Sequence, residues 1–395
     1  MEEENRIYKE LVSEDASVWF ISDKFGKKLL IKLHSTTIKE IIKGTEIYLQ
    51  FGKDRVEYTT YLHTGIRVLD DPVHYLSVTG VERYKENQKA ILELITENEI
   101  YTEFFNELDT PLCNCMVNIS DDDKKKLIEF LGDIDQFYTG DFDAKAQESL
   151  DAFEYTLYKE ENRKIKRIID SLLIRISPLK FQILNLHFIG LHENHSIKID
   201  TPNEGDLLEK LIWSSLESVF NSSIYKSPKI IRNKKSRELI DILCFSEYGI
   251  FLIESKALAI TTLDKEKNIV KRIEGIQKQI KKALKQLIGA KKVIQENTPI
   301  YDSKGNVIIF RRDIIPHCIV LVSNIYPFGD WNDIIKDSFE KIIKEKVCIN
   351  IMDLSELLRM LKICRGDFIK FDYSLMERTK AFIEHKTLFL KVDEK

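Results

Sequence analysis

The chain has 395 residues, 43% of them hydrophobic and 31% charged, and a net charge of −4 at pH 7. That length accommodates two or three domains with sizeable cores. Six scattered cysteines, no secretory-type start and no run of eighteen apolar residues argue against a disulfide framework and a membrane span, and for a reducing cytoplasm.

The first half reads as a β-rich module. Val18–Ser22, Lys28–His34, Thr45–Phe51, Val56–Leu62 and His74–Thr79 alternate or cluster as strands, with turns about every ten residues. A small antiparallel sheet or barrel is expected there. Helical patterns follow over 86–107 and 121–135, the second opened by Ser120 as N-cap and by Asp121 to Asp123 at the positive end of the helix dipole. A long charged helix is expected over 144–176, then a strand over Phe181–Ile189. The segment Thr201-Pro202-Asn203 makes a boundary. Cys113-Asn-Cys115 and the trio His187, His192 and His195 have the residue types of zinc ligands, but neither set is complete in sequence. No phosphate-binding glycine loop and no internal repeat is present.

The second half alternates. A helix over 204–220 precedes strands near 228–233, 237–245 and 250–256. Helix 270–296, strand Pro316–Asn324 and helices over 330–345 and 352–362 follow. A buried run after a helix, as in Cys318–Val322, reads as a parallel central strand. The chain is therefore read as α/β (α+β multidomain): a β-rich module over 1–110, a mainly helical connecting region over 111–200, and an αβββαβ unit with a central mixed sheet over 201–395, followed by further helices.

Within that unit, the run from Arg237 to Lys256 makes two apolar strands around a turn at Ser246, Glu247 and Gly249. A turn centred on Glu247 and Tyr248 sets Asp241 opposite Glu254. Directly opposed residues have Cβ atoms roughly 4.5–5.5 Å apart, where like charges repel. A divalent cation between the two carboxylates removes the conflict. Lys256 lies two residues beyond Glu254 and shares its face. Two carboxylates and an ammonium at the end of a buried hairpin suit metal-assisted hydrolysis.

Asp241 followed by Glu254-Ser255-Lys256 resembles the PD-(D/E)xK, restriction-endonuclease-like nuclease superfamily, over about residues 203–325. The helix acid of that superfamily matches Glu209, in Gly205-x-x-x-Glu209. Gln286 on the following helix matches a glutamine that faces the site in some members, with Gln279 one heptad earlier. Ile240 stands where the family often has proline. The resemblance implies phosphodiester hydrolysis with Mg²⁺ or Mn²⁺, held by Asp241, Glu254, the Ser255 carbonyl and Glu209, with Lys256 at the attacking water. It also leaves two alternatives: a binding or scaffold protein on a nuclease fold without cleavage, and an enzyme for RNA or junctions.

Charge distribution points the same way. Residues 1–200 carry 26 Lys and Arg against 37 Asp and Glu, a balance of −11, whereas residues 201–395 balance at +7. Lys226, Lys229, Arg232, Lys234, Lys235 and Arg237 lead into the Asp241 strand. Lys265, Lys267, Lys271, Arg272, Lys278, Lys281, Lys282, Lys285, Lys291 and Lys292 crowd the helix after Glu254. These clusters are expected to hold nucleic acid, DNA in preference to RNA, through its phosphates. The acidic first half is read as a surface for a protein partner, a sensor of an invader, or a mask for the basic surface. Such a fusion resembles bacterial anti-phage defence or restriction proteins, with the oligomeric state left open.

Overall fold

The computed structural model describes residues 2–24, 26–69, 75–159, 165–190, 194–199, 204–256, 269–322, 325 and 329–390. Thr201-Pro202-Asn203, His192, Lys265 and Lys267 lie outside them, as does the side chain of Arg272. The chain divides into two compact units, Met1–Leu184 and Asn185–Lys395.

In the first unit, α1 (Glu2–Ser13), β1 (Ser17–Asp23), β2 (Gly26–Lys32), α2 (Ser35–Ile42), β3 (Glu46–Val56), β4 (Thr59–Leu69) and β5 (Leu76–Glu82) come first. Then follow α3 (Lys85–Ile95), β6 (Ile100–Phe105), β7 (Pro111–Asn118), α4 (Asp121–Leu131), α5 (Ala144–Tyr158), β8 (Asp170–Pro178) and β9 (Gln182–Ile183). The strands make one sheet in the order β1-β2-β6-β7-β8-β3-β4-β5, with β9 on β7. All its pairs are antiparallel except β2 with β6. Close packing shapes this unit at Gly52, where an added Cβ would lie 2.5 Å from the Phe153 ring of α5.

Two helical expectations are corrected here. The pattern over 86–107 is α3 and then β6, because Ile100–Phe105 buries alternate residues with period two and is rich in strand-forming aromatic residues. The helix expected over 144–176 stops at Tyr158, where Lys159 takes a left-handed φ of 51°. Its later part is β8, whose Leu-Ile-Arg-Ile run alternates buried Ile174 and Ile176 with exposed residues. Ser120 does cap α4, accepting a hydrogen bond from the Asp123 N–H at 3.2 Å.

The second unit opens with β10 (Leu186–Ile189), β11 (Asn194–Ile197), α6 (Glu204–Leu216), β12 (Ile224–Lys226), β13 (Lys229–Arg232) and β14 (Lys235–Glu238). It continues through β15 (Ile242–Phe245), β16 (Ile250–Lys256), α7 (Ile269–Gln295), β17 (Ile300–Tyr301) and β18 (His317–Val322). Last come α8 (Asn332–Glu345), β19 (Cys348–Asp353), α9 (Leu354–Cys364) and α10 (Phe368–His385). The central mixed sheet runs β12-β15-β16-β18-β19, antiparallel as far as β16 and parallel beyond it. β18 is buried along its whole length, as a central parallel strand must be when both faces are covered.

Strand alternation distributes the layers. Leu243, Leu252, Cys318, Val320 and Val322 share a core with Ile276, Ile280, Leu284 and Leu287 of α7. On the opposite face, Phe251 packs in tilted ring contacts with Phe220 and with Phe371 of α10. Truncating a fully buried leucine of such a core, Leu284 for example, costs about 2–5 kcal/mol. Glu254 and Lys256 continue the series of Ile250 and Leu252, so their side chains project on the α7 side. The strand expected over 237–245 is interrupted. Leu239 N–H donates to the Pro228 carbonyl and Ser227 N–H to that of Asp241, and this separates β14, in a small sheet with β13 and β17, from β15.

Candidate active site

The β15–β16 hairpin pairs Ile242 with Ile253 and Phe245 with Ile250, so the register carried one step further sets Asp241 opposite Glu254. Ser246 closes the turn. Its hydroxyl accepts from the N–H groups of Tyr248 and Gly249, and its own N–H donates to the Gly249 carbonyl. A four-residue turn with those hydrogen bonds holds the register, and the register brings the carboxylates together.

Lys256 Nζ donates to Glu254 Oε2 at 2.6 Å and lies 3.8 Å from Asp241 Oδ2. Gln286 of α7 donates from Nε2 to the other Glu254 oxygen, Oε1, at 3.3 Å. Asp241 Oδ2 in turn accepts from the Ser255 N–H at 2.7 Å and from its hydroxyl at 3.1 Å. Glu254 is fully buried, and its pKa is raised from 4.5 to about 7. Burial is the main cause and the Asp241 charge the next, outweighing the Lys256 ammonium. One negative charge at this place is tolerated; a second calls for a cation.

Four of the five catalytic positions expected from the sequence therefore meet: Asp241, Glu254, Lys256 and Gln286. Glu209 is not drawn in. It is partly exposed on α6, with Oε2 3.9 Å from Lys226 Nζ. Among the described residues, no three His, Cys, Asp or Glu side chains converge as a metal site. The cysteines and His195 noted in the sequence are engaged otherwise. Cys113 and Cys115 are buried on β7, and burial pushes both thiols up to about 12, while His195 pairs with Glu217 at 3.0 Å. Two carboxylates still fit a small hard cation, since Mg²⁺ is commonly bound by one or two carboxylates together with water and substrate phosphate.

Sequence reasoning missed the part of Ser255 that matters most here. Its N–H and hydroxyl anchor Asp241, an arrangement that depends on the break between β14 and β15. Glu238 was also passed over: its charge is felt at Glu254, and its place three residues before Asp241 was the available signal. The basic residues lie outside this cluster. Lys278, Lys281, Lys282 and Lys285 are exposed along α7, with Lys281 3.6 Å from Asp333. Lys229, Lys234, Lys235 and Arg237 are exposed on the β13–β14 hairpin, where Arg232 pairs with Glu296 at 2.6 Å.

Residues 204–321, from the start of α6 into β18, match the family model of the nuclease-related domain (NERD), a PD-(D/E)xK-like nuclease domain. The match encloses the whole hairpin and Gln286, and it agrees with the resemblance carried by Asp241, Glu254 and Lys256. No curated protein and no solved structure matches the chain.

Proposed function

We propose that the second unit is a divalent-metal-dependent nuclease that hydrolyses phosphodiester bonds, most readily in DNA. The observation that carries this is the buried Glu254 carboxylate, shared between Lys256 and Gln286 and set against Asp241, inside a stretch that matches a nuclease-related domain. The order α6, β12, β15, β16, α7, β18 supports a restriction-endonuclease-like αβββαβ core.

Asp241 and Glu254 would hold Mg²⁺ or Mn²⁺, with the Ser255 carbonyl beside them; Glu209 would have to leave Lys226 to take part. A bound divalent ion supplies Lewis acidity and a water of lowered pKa. The protein's own groups do the rest. Ser255 fixes the Asp241 carboxylate by two hydrogen bonds, and Gln286 fixes the orientation of Glu254. Lys256 offers an ammonium where the attacking oxygen loses its proton and negative charge grows on the phosphate. Neutralising Glu254 by protonation and neutralising it by cation binding are competing processes, so activity should rise with pH through about 7.

The acidic first unit supports a sensing or partner-binding role, and with it a place as effector in anti-phage defence or restriction. Six free cysteines support a reducing, cytoplasmic setting. Among the described residues no helix is long and apolar enough to cross a membrane. The deciding experiment incubates the purified chain with plasmid, linear duplex, single strands and RNA, with and without Mg²⁺ or Mn²⁺. Metal-dependent cleavage by wild type and none by Glu254→Gln supports the reading. Cleavage in EDTA, or by the variant, overturns it.

A further inference from the structure

The β13–β14 hairpin is a ribbon tied to the rest of the unit at its base and, through Arg232 and Glu296, beside its turn. Ile230 is fully buried there, and β13 pairs with β17 through Lys229 with Tyr301 and Ile230 with Ile300. Every residue from Ile231 to Glu238 is exposed. Two features of this ribbon work against its own stability.

The first is the turn. Asn233 and Lys234 have φ values of 52° and 62°, the left-handed pair of a two-residue type I′ turn. Glycine is strongly preferred at the second position, because a Cβ there crowds the following carbonyl. A lysine occupies it instead. The second is the register, which sets Arg232 directly opposite Lys235, where like charges repel. Arg237, two residues beyond Lys235, lies on that same face. Glu296 meets Arg232 and Glu238 lies opposite Lys229, but among the described residues no ion pair is formed by Lys234, Lys235 or Arg237. The like-charge repulsion is relieved by a row of anions laid along the ribbon.

We propose that the β13–β14 ribbon is an arm that enters the major groove of duplex DNA, with Lys234 at the tip and the exposed Lys235 and Arg237 of β14 meeting phosphates. The groove of B-form DNA, about 12 Å wide, admits a two-stranded ribbon, whereas the deep, narrow major groove of A-form RNA does not. Only Leu239 and Ile240 separate the base of the arm from Asp241, so a duplex held along the arm lies beside the strand that carries the first carboxylate. The consequence for cleavage rests on the nuclease reading; the binding does not.

The test measures binding of the full chain in EDTA, where no metal-dependent cleavage intervenes, to duplex DNA, duplex RNA and single-stranded DNA of one sequence across a salt series. Duplex DNA should bind about tenfold or more tighter than duplex RNA. Lys234→Gly and the pair Lys235→Ser with Arg237→Ser should weaken duplex binding and flatten the log–log salt slope by roughly 0.9 for each phosphate no longer neutralised. Lys234→Gly should also raise Tm, since glycine accepts a left-handed φ without strain, so its weaker binding is not a folding defect. An unchanged slope in these variants, or equal affinity for duplex RNA, overturns the arm. Plasmid cleavage with Mg²⁺ is followed in parallel. Intact cleavage with arm-independent binding removes the arm alone; arm-dependent DNA binding without cleavage removes the hydrolytic reading alone.

Discussion

Lys256 and Glu254 form a buried contact of 2.6 Å, yet the ammonium fails to hold the carboxylate at its ordinary acidity. Desolvation and the Asp241 charge outweigh the ion pair. The two carboxylates therefore share this place at an energetic cost.

Stability should show it. The unfolded chain ionises this carboxyl near 4.5, whereas the folded protein keeps the proton to about 7. Between those values the native state binds more protons than the unfolded state, so stability falls as pH rises. The loss over this window is about 3 kcal/mol, taking 1.36 kcal/mol per pH unit. In EDTA, the Tm difference between wild type and Glu254→Gln should therefore move in favour of the variant from pH 4.5 to 7. Adding Mg²⁺ or Mn²⁺ should stabilise wild type more at pH 8 than at pH 5. A pH-independent Tm difference would contradict the raised pKa.

Asp241 separates charge from hydrogen bonding. Asp241→Ala removes a neighbouring negative charge but also the acceptor of the Ser255 N–H and hydroxyl. Asp241→Asn removes the charge and retains an acceptor oxygen. Both should abolish cleavage. In EDTA at pH 7.5, the Asn variant should match or exceed wild type in stability, and the Ala variant should fall about 1–2 kcal/mol below Asn, the cost of leaving a backbone donor unmet. Equal stability of the two variants would mean that Ser255 does not depend on Asp241.

Gln286 and Glu209 distinguish the observed cluster from the wider family pattern. Gln286 touches Glu254 through one long hydrogen bond, so Gln286→Ala should slow cleavage about fivefold, equivalent to roughly 1 kcal/mol. Glu209 is engaged with Lys226 outside the cluster, so Glu209→Ala should cost less than Glu254→Ala. A loss as complete as that of Glu254→Ala would mean that α6 brings Glu209 in when metal or substrate binds. Mn²⁺ titration followed by electron paramagnetic resonance on both variants would show the same difference at the level of metal affinity.

The site was legible in the sequence where its geometry is local. Asp241 and Glu254 lie within one hairpin, and turn residues together with apolar flanks determine its register. Gln286 stands 32 positions from Glu254, and only the family resemblance brought it into view. The Ser255 anchor was hidden because it needs the break at Leu239–Asp241, where the chain leaves one sheet for another. β8 was misread for a different reason. Its lysine- and arginine-rich approach suggested a solvated helix, and the period-two burial of Ile174 and Ile176 emerges only when the strand pairs with β3. The strand β19 and helix α10 were not foreseen, although both cover the central sheet.

The lysines of α7 give the last test, because their neighbours are mixed in sign. Lys278, Lys281, Lys282 and Lys285 are exposed on the helix that carries Gln286, but Asp333 of α8 already lies 3.6 Å from Lys281. A groove between α7 and α8 is lined by Lys281, Lys285, Lys292, Lys336 and Lys341 and also by Asp337 and Glu340. If α7 follows the phosphate backbone, changing the four lysines to Glu should weaken binding uniformly across DNA sequences. The log–log salt slope should flatten by roughly 0.9 for each phosphate that loses its lysine, up to about 3.6 for all four. Thermal stability should change little, since exposed charges with such partners contribute about 0–1 kcal/mol each. Affinity measured from low to moderate salt on several duplexes decides the matter. An unaltered slope makes this face a solvated one and leaves phosphate binding to the β13–β14 ribbon, whereas a change in sequence preference would mean that α7 reaches base edges.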